Sequence, residues 1–579
     1  MFKAIKIFLA CLTSAEQRRL LVFAAVAALT ATLELTSLLA IYPLVLLGIH
    51  DAPTQGPIVS IPHWFGFEDT QNIGLFWAYI MLGTVLLSFA ARALTTWIQF
   101  TFAESLRHTL STRVFRTYLC RPYAFLLRKN TSELTSAILS EVDLIVTQTA
   151  VGLFQAVAAL SVLVATAGML IIAAPTATLL VILVAAGFYC GIYLIMSKLV
   201  AKNDVARFGA NRRRHLVINE SFALLREIKI RGLENVQVAA YSPHAKVMSK
   251  ALARHSLISH LPRIMIETLL FGSAALFMLV FYVGSDDLSV DFADLLPTVS
   301  LMIASTVRML PAAQTVYRVL NGVRGSLVGL SVLHEALQHE PQQAARPLLQ
   351  PLTLKQSIVF DAVTFIHEGS VRPSVQNCSF VVRKGEIIGI KGATGSGKST
   401  VVDLLMGLLE PTSGHITIDG ATLTQDRRVQ WQRNVGFVAQ DVVLSDDTVL
   451  RNIAFGVPDE LIDLDRAREV ARIACISELI EQLPQGYDAS VGQGGVALSG
   501  GQRQRLSIAR ALYHDPEVII FDEATSALDI ETERRVLDQI RTTAKSKTMI
   551  MVAHRLDTLK SCDMIITIKD GTIMPQNTR

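Results

Sequence analysis

The sequence predicts two domains of different class: an all-α membrane domain of six helices, then an α/β domain built around a phosphate-binding loop. Three observations predict it. Of 579 residues, 51% are hydrophobic and 18% charged, with mean hydropathy +0.42, above that of an ordinary soluble enzyme. Six apolar runs long enough to cross a bilayer crowd into the chain before about residue 330. GATGSGKST, from Gly392, fits G-x-x-x-x-G-K-[ST], in which backbone N–H groups cradle phosphates. The expected divisions are a surface helix over 1–19, a membrane domain over 20–338, a linker over 339–351 and the α/β domain over 352–579.

Residues 1–19 place Lys3 and Lys6 among apolar neighbours, the pattern of an amphipathic helix on the inner surface. The spans lie near Leu20–Ile49, Ile73–Phe102, Val151–Ala174, Thr176–Met196, Ser259–Gly284 and Leu295–Tyr317. A cleaved signal peptide does not fit the first, because the apolar run is too long and Arg18 and Arg19 sit too far in. The connections His50–Asn72, Ala173–Thr176 and Ser285–Leu295 carry no Lys or Arg, whereas Glu104–Glu133 and Ser197–His255 are strongly basic. Positive-inside bias puts both termini, both basic connections and the α/β domain in the cytosol. The basic connections read as long helices broken at their tips, Arg121–Glu133 by Pro122 and Arg226–Asn235 by Gly232. They serve either as rigid contacts to the second domain or as basic helices facing anionic lipid heads. The outer connection His50–Asn72 holds either a short amphipathic helix or an irregular loop. His339–Pro351 is polar and Pro-containing, as a linker should be. The 6 Cys show no C-x-x-C pair and read as packing residues.

In the second domain the strand Ile387–Ile390 feeds the phosphate loop, and a helix from Thr400 turns its N-terminus to the phosphates. Val518–Phe521 is all apolar, as a parallel strand buried on both faces requires, and ends in Asp522 and Glu523. In order, the chain presents the phosphate loop, Gln440, LSGGQ from Leu498, VIIFDEATSALD from Val518 and VAHR ending at Arg555. LSGGQ is far more specific than the loop alone. Together these motifs resemble the ATP-binding cassette (ABC) family over Ser357–Arg579, and six spans ahead of one cassette resemble its exporter branch, a type IV exporter-like membrane domain.

That resemblance implies ATP and Mg²⁺ as ligands. Gly392, Thr394, Gly395, Ser396, Gly397 and Thr400 form the phosphate cradle, Lys398 neutralises the β- and γ-phosphates, and Ser399, Gln440 and Asp522 serve the metal. Glu523 polarises the attacking water and His554 contacts the γ-phosphate. His367 stands where the family commonly stacks a Tyr on adenine, a weaker version of that contact. Ser499, Gly500, Gly501 and Gln502 form the signature, reaching the γ-phosphate held by a partner cassette, and Asp529 belongs to a loop crossing that interface. One departure is Gln493, in GQGG, where the family often carries Glu. One cassette per chain implies a dimer of twelve spans. The intact motifs favour a homodimer and leave a second intact chain open. Six spans exclude the cassette proteins of DNA repair or translation, so no nucleic-acid partner is expected.

Cargo is read from charges inside the spans, which are costly and mark functional paths. Arg92, Thr95, Thr96 and Gln99 share one face of span 2; Arg263 and Glu267 are i, i+4 neighbours in span 5; Arg308 follows Ser305 near Pro311; span 1 carries Glu34. At about 1.5 Å per residue from the outer ends, Arg92, Arg263 and Arg308 lie roughly 28, 31 and 20–25 Å down, while Glu34 lies roughly 21 Å up from the inner end, in the outer half. Three arginines at one height would make a basic ring for a phosphate; the other reading is interfacial snorkelling or local pairing, as of Arg263 with Glu267. LELTSLLAIYPL from Leu33, EIKIRGLENV, HLPRIMIE and VRMLPAAQTVYRV are similar to the bacterial flippases of lipid-linked oligosaccharides. This implies a polyprenyl-pyrophosphate-linked glycan as cargo, membrane lipids as partners and the bacterial inner membrane as location. An exporter of peptides or hydrophobic drugs has the same architecture and stays open, as, more remotely, does an importer sharing this fold.

Overall fold

The computed structural model describes residues 2–41, 43–44, 57–66, 70–173, 187, 191, 203, 205–284, 288–339, 350–492, 495, 498–524, 529–543, 547–553, 559–560 and 562–574. It divides into two compact units, Met1–Arg121 with Leu126–Gln342, and Pro122–Phe125 with Gln343–Arg579.

The membrane unit opens with α1 (Phe2–Cys11) and α2 (Ser14–Leu39). The single helix expected over 1–19 is two, because Thr13 and Glu16 form a capping box: the Thr13 N–H donates to Glu16 Oε2 at 2.7 Å and the Glu16 N–H to Thr13 Oγ1 at 3.3 Å. Arg18 and Arg19 therefore belong to α2. The apolar face of α1 meets protein, burying Ala4, Phe8 and Cys11 in one core with Leu330, Leu333 and Leu337. A short helix, α3 (Pro57–Trp64), occupies part of the outer connection, and α4 (Thr70–Leu119) carries the second span into the first basic connection. Three contacts fix α2 and α4 as antiparallel neighbours: Thr109 with Glu16 at 3.2 Å, Thr95 with Thr30 at 3.3 Å and Arg92 with Glu34 at 2.6 Å.

π-helical turns at Ala137–Glu141 and Val146–Ala150 lead into α5 (Val151–Ala173), which coincides with the expected third span. In the second basic connection, α6 (Leu225–Arg231) stops at Gly232, whose φ of +61° is the left-handed cap that glycine adopts without a Cβ penalty. The chain resumes as α7 (Glu234–Gly284), then α8 (Leu288–Gly325) and α9 (Leu327–Leu337). The expected fifth and sixth spans fall within α7 and α8; the fourth, Thr176–Met196, lies outside the described residues apart from Gly187 and Gly191. Among the described residues, Ser14–Leu39, Asn72–Leu119 and Glu133–Ile171 are long and apolar enough to cross a membrane.

The second unit pairs an antiparallel sheet with a mostly parallel one. In the first, β1 (Ser357–Phe365) lies between β2 (Val375–Arg383) and β4 (Ser413–Ile418), with β5 (Ala421–Thr422) at the edge. The second contains β3 (Ile387–Gly392), β6 (Val435–Val438), β7 (Val518–Asp522), β8 (Thr548–Val552), β9 (Met564–Lys569) and β10 (Thr572–Ile573), in the order β10-β9-β3-β8-β7-β6. Helix α10 (Lys398–Leu405) follows β3, α11 (Gly500–Tyr513) precedes β7, and α12 (Ile530–Thr543) follows it. Alternate residues of β7 enter different cores. Val518 and Ile520 join Val401, Leu404 and Leu405, whereas Ile519 and Phe521 join Leu506, Ile508 and Ile540. Burial of both faces is why this strand has no polar alternation.

Candidate nucleotide site and membrane cavity

In the parallel sheet, Ile390 pairs with Val552, Val552 with Asp522, and Phe521 with Val438. The loops after β3, β6, β7 and β8 therefore leave one edge, the carboxyl edge at which α/β sheets bind ligands. The loop after β3 supplies Gly392, Thr394, Gly395, Ser396 and Gly397. At Gly397 φ is +102°, and a Cβ there would stand 2.3 Å from the Ser374 carbonyl oxygen, so a side chain is excluded twice over. This turn brings Lys398 back over the loop, where its Nζ donates to the carbonyls of Gly392 at 2.9 Å and Ala393 at 3.1 Å. A buried ammonium whose hydrogen bonds go to neutral carbonyls favours an anion beside it. Ser396 Oγ is buried without a hydrogen-bond partner among the described residues. Ser399 is exposed and Thr400 buried in the first turn of α10, whose free N–H groups and dipole favour phosphate. These residues fit a nucleoside triphosphate.

At the end of β7, Asp522 is half-buried; burial pushes its carboxyl up, neighbouring Glu523 pushes it further, and Lys398 opposes both. Glu523 has φ +50°, unusual for a side-chain-bearing residue, and its N–H donates to the Val552 carbonyl at 3.0 Å. Gln440 Nε2 donates to Glu523 Oε2 at 2.9 Å. Gln440 and Glu523, 83 positions apart, thus meet at one spot. Among the described residues no group of three His, Cys, Asp or Glu is placed to hold a metal. A Mg²⁺ here would instead take the hard-oxygen set of the Ser399 hydroxyl, Gln440 and Asp522, together with phosphate and water.

Ser499 caps α11 in a second capping box, accepting from the Gln502 N–H at 3.3 Å while its own N–H donates to Gln502 Oε1 at 2.8 Å. Gly500 and Gly501 fill the first turn. Asp529 accepts from the Thr532 N–H at 2.8 Å at the start of α12, and its hydrogen bonds with Thr532 hold its carboxyl below the ordinary range. His367 sits edge-on to Phe365, ring centres 4.9 Å apart. His554 and Gln493 lie outside the described residues.

In the membrane unit a cavity of about 510 Å³ opens between α2, α4, α5 and α8. The expectation that Glu34 stands at a different height from Arg92 and Arg308 is corrected: its carboxylate meets Arg92 Nε at 2.6 Å and Arg308 Nε at 3.3 Å. Counting rise from the apolar ends gave the helices no common zero, since α4 alone is 50 residues long, far more than a bilayer needs. Arg92 and Arg308 are brought together, but around a buried carboxylate, not as a ring of unpaired cations. The Arg263 side chain lies outside the described residues, and Glu267, on α7, is not among the residues lining this cavity. Thr95, Thr96 and Gln99, read from the sequence as one face of span 2 with Arg92, line it beside Arg92. Gln99 is 7% exposed and its Nε2 has no partner among the described residues.

Two family models match the chain, "ABC transporter transmembrane region" over residues 36–308 and "ABC transporter" over 375–526. The chain belongs to the ABC transporter family. It is similar to curated relatives named ATP-dependent lipid A-core flippase. The relative from Cupriavidus metallidurans is 39% identical over 41% of this chain and 40% of its own, and that from Ralstonia nicotianae 41% identical over 38% and 37%. The relative from Methylococcus capsulatus is 37% identical over 47% and 44%. The match thus spans less than half the length of these relatives. A solved bacterial Atm1-family ABC exporter with ATP bound superposes with a TM-score of 0.77 over 97% of this chain and 96% of that one, at 24% identity, a likeness of fold.

In this ABC transporter, sequence reasoning missed several groups. Arg318, whose Nη2 donates to Gln155 Oε1 at 3.4 Å, lines the cavity with Thr315 and Thr30. The helical stripe 308, 311, 312, 315, 318 could have found it. Asp403, on α10, has its carboxyl pushed up to about 6 by burial and then by Asp522; nothing in the local sequence marks that proximity.

Proposed function

We propose that this chain is one half of an ATP-driven exporter that moves a phosphorylated lipid from the cytosolic to the outer leaflet of the bacterial inner membrane, with both termini and the cassette cytosolic. ATP supplies the free energy through hydrolysis of its γ-phosphate. Lys398 neutralises the β- and γ-phosphates, while Ser399, Gln440 and Asp522 serve Mg²⁺. Glu523 orients the attacking water, with Gln440 fixing its carboxylate, and His554 contacts the γ-phosphate. Ser499 and Gly501 act on the nucleotide of a second copy of the chain, which makes the working unit a homodimer. Tips at Arg121–Glu133 and Arg226–Asn235 carry the cassette's movement to the spans.

The observation that carries the cargo reading is the pair Arg92 and Arg308 on either side of Glu34, beside Gln99 Nε2, which has no partner among the described residues. Two guanidiniums around one carboxylate leave a net positive charge, and their planar forks suit phosphate oxygens. A polyprenyl-pyrophosphate-linked oligosaccharide is the cargo read from the motifs. The names of the curated relatives favour a second reading, a lipid A-core glycolipid, which presents the same phosphate chemistry. ATPase activity of the dimer in nanodiscs, measured against both lipid classes, peptides and drugs, tests the proposal. Stimulation by phosphorylated lipids supports it, and stimulation by peptides or uncharged drugs alone refutes it.

A further inference from the structure

A second hollow of about 430 Å³ lies apart from the Glu34 cluster, between α2 and α4, with Phe154 of α5 behind it. Its two walls follow one rule. Arg18, Arg19, Val22, Phe23 and Val26 of α2 recur at i, i+1, i+4, i+5, i+8, and so do Trp97, Ile98, Thr101, Phe102 and Ser105 of α4. Because the helices are antiparallel, the polar ends coincide: Arg18 and Arg19 lie level with Ser105, and Val26 with Trp97 and Ile98. The crevice is therefore charged at one end, the cytosolic one in the orientation proposed above, and mostly apolar for the remaining two turns, about 10 Å from Arg19 to Val26.

Its floor is a packed aromatic set. Phe23 meets Phe154 edge-on at 4.4 Å, and Phe102 meets Phe154 at 5.2 Å. Its rim is open, with Val22 64% and Trp97 66% exposed. Neither Arg18 nor Arg19 has an ion-pair or hydrogen-bond partner among the described residues, although Glu16, two and three positions away, is engaged by Thr13 and Thr109. Two unpaired guanidiniums at the foot of an apolar slot complement an anionic head on an acyl chain.

We propose that this crevice holds one anionic phospholipid of the inner leaflet, its phosphate on Arg18 and Arg19 and an acyl chain along Val22–Val26 and Trp97–Phe102. The site does not depend on which cargo is exported, since it shares only the Phe23 side chain with the Glu34 cavity. The test is photo-crosslinking of the full-length dimer in nanodiscs doped with diazirine-bearing phosphatidylglycerol, the labelled peptides being mapped by mass spectrometry. Phosphatidylcholine bearing the same diazirine acyl chain is the control. Label should concentrate on the two wall segments, favour phosphatidylglycerol, and fall about fivefold for each of Arg18→Gln and Arg19→Gln. Basal ATPase activity of those variants should stay unchanged, which shows them folded. Equal labelling by both lipids, or labelling indifferent to the substitutions, means bulk lipid only and overturns the proposal. Walls left unlabelled because a second copy covers them overturn it equally.

Discussion

At the scale of single residues, Glu523 and Glu34 are each held by partners far away in sequence. Gln440 grips the Glu523 carboxylate at 2.9 Å, so Glu523→Gln should bind MgATP with near-parental affinity and lose most steady-state hydrolysis, as read by nucleotide binding and phosphate release. Hydrolysis at the parental rate would remove Glu523 from the reaction. In the membrane, Glu34 ties Arg92 to Arg308. Glu34→Gln should release both guanidiniums, tightening the cavity's hold on a phosphorylated lipid in a direct binding titration. Weaker binding would mean that Glu34 serves the cargo itself.

Capping boxes and buried strands decide the fold at the scale of elements, and here the sequence was unevenly legible. The all-apolar run of β7 announced a doubly buried strand because both cores demand it. Thr13-x-x-Glu16 was equally legible as a helix start, yet the apolar neighbours of Lys3 and Lys6 suggested one continuous surface helix. The height of Glu34 was not legible, since helical rise gives no common zero for helices that extend beyond the bilayer. Nor was Asp515, which follows α11 and accepts from Lys547 Nζ at 2.8 Å and Arg466 at 3.2 Å. The Lys547 hydrogen bond, first, and the two cations hold its carboxyl below the ordinary range. A lowered carboxyl contributes stability above its unfolded pKa and loses it as pH falls through the folded one. Asp515→Asn keeps the left-handed backbone that Asn tolerates and should cost about 0.5–1 kcal/mol at pH 7 for so exposed a group. Denaturant melts should show that difference closing as pH drops below about 4; a difference independent of pH would assign the loss to packing. Gly397→Ala forces a Cβ against the Ser374 carbonyl and should abolish ATP binding, measured with a fluorescent nucleotide.

At the scale of the whole molecule, the proposed exporter requires two half-sites and one cavity to cooperate. If Ser499 acts on the partner's nucleotide, mixing Lys398→Ala chains with Ser499→Ala chains gives heterodimers with one doubly damaged site and one intact site. ATP turnover should then rise above that of either variant alone; no recovery would mean strict coupling of sites or a Ser499 that works within its own chain. The paired arginines make the central claim, that the cavity reads a phosphate. Losing one charge-assisted contact should cost about 1.5–3 kcal/mol, roughly a 10- to 150-fold deficit, and Lys in place of Arg should restore only part. The most direct measurement is leaflet-to-leaflet transfer of a labelled polyprenyl-pyrophosphate glycan and a labelled lipid A-core glycolipid in proteoliposomes, by the parent and by an Arg92→Gln/Arg308→Gln variant. The account predicts ATP-dependent transfer of at least one of them by the parent, and near-complete loss in the variant with basal ATPase retained. Parental transfer rates in the variant would contradict it.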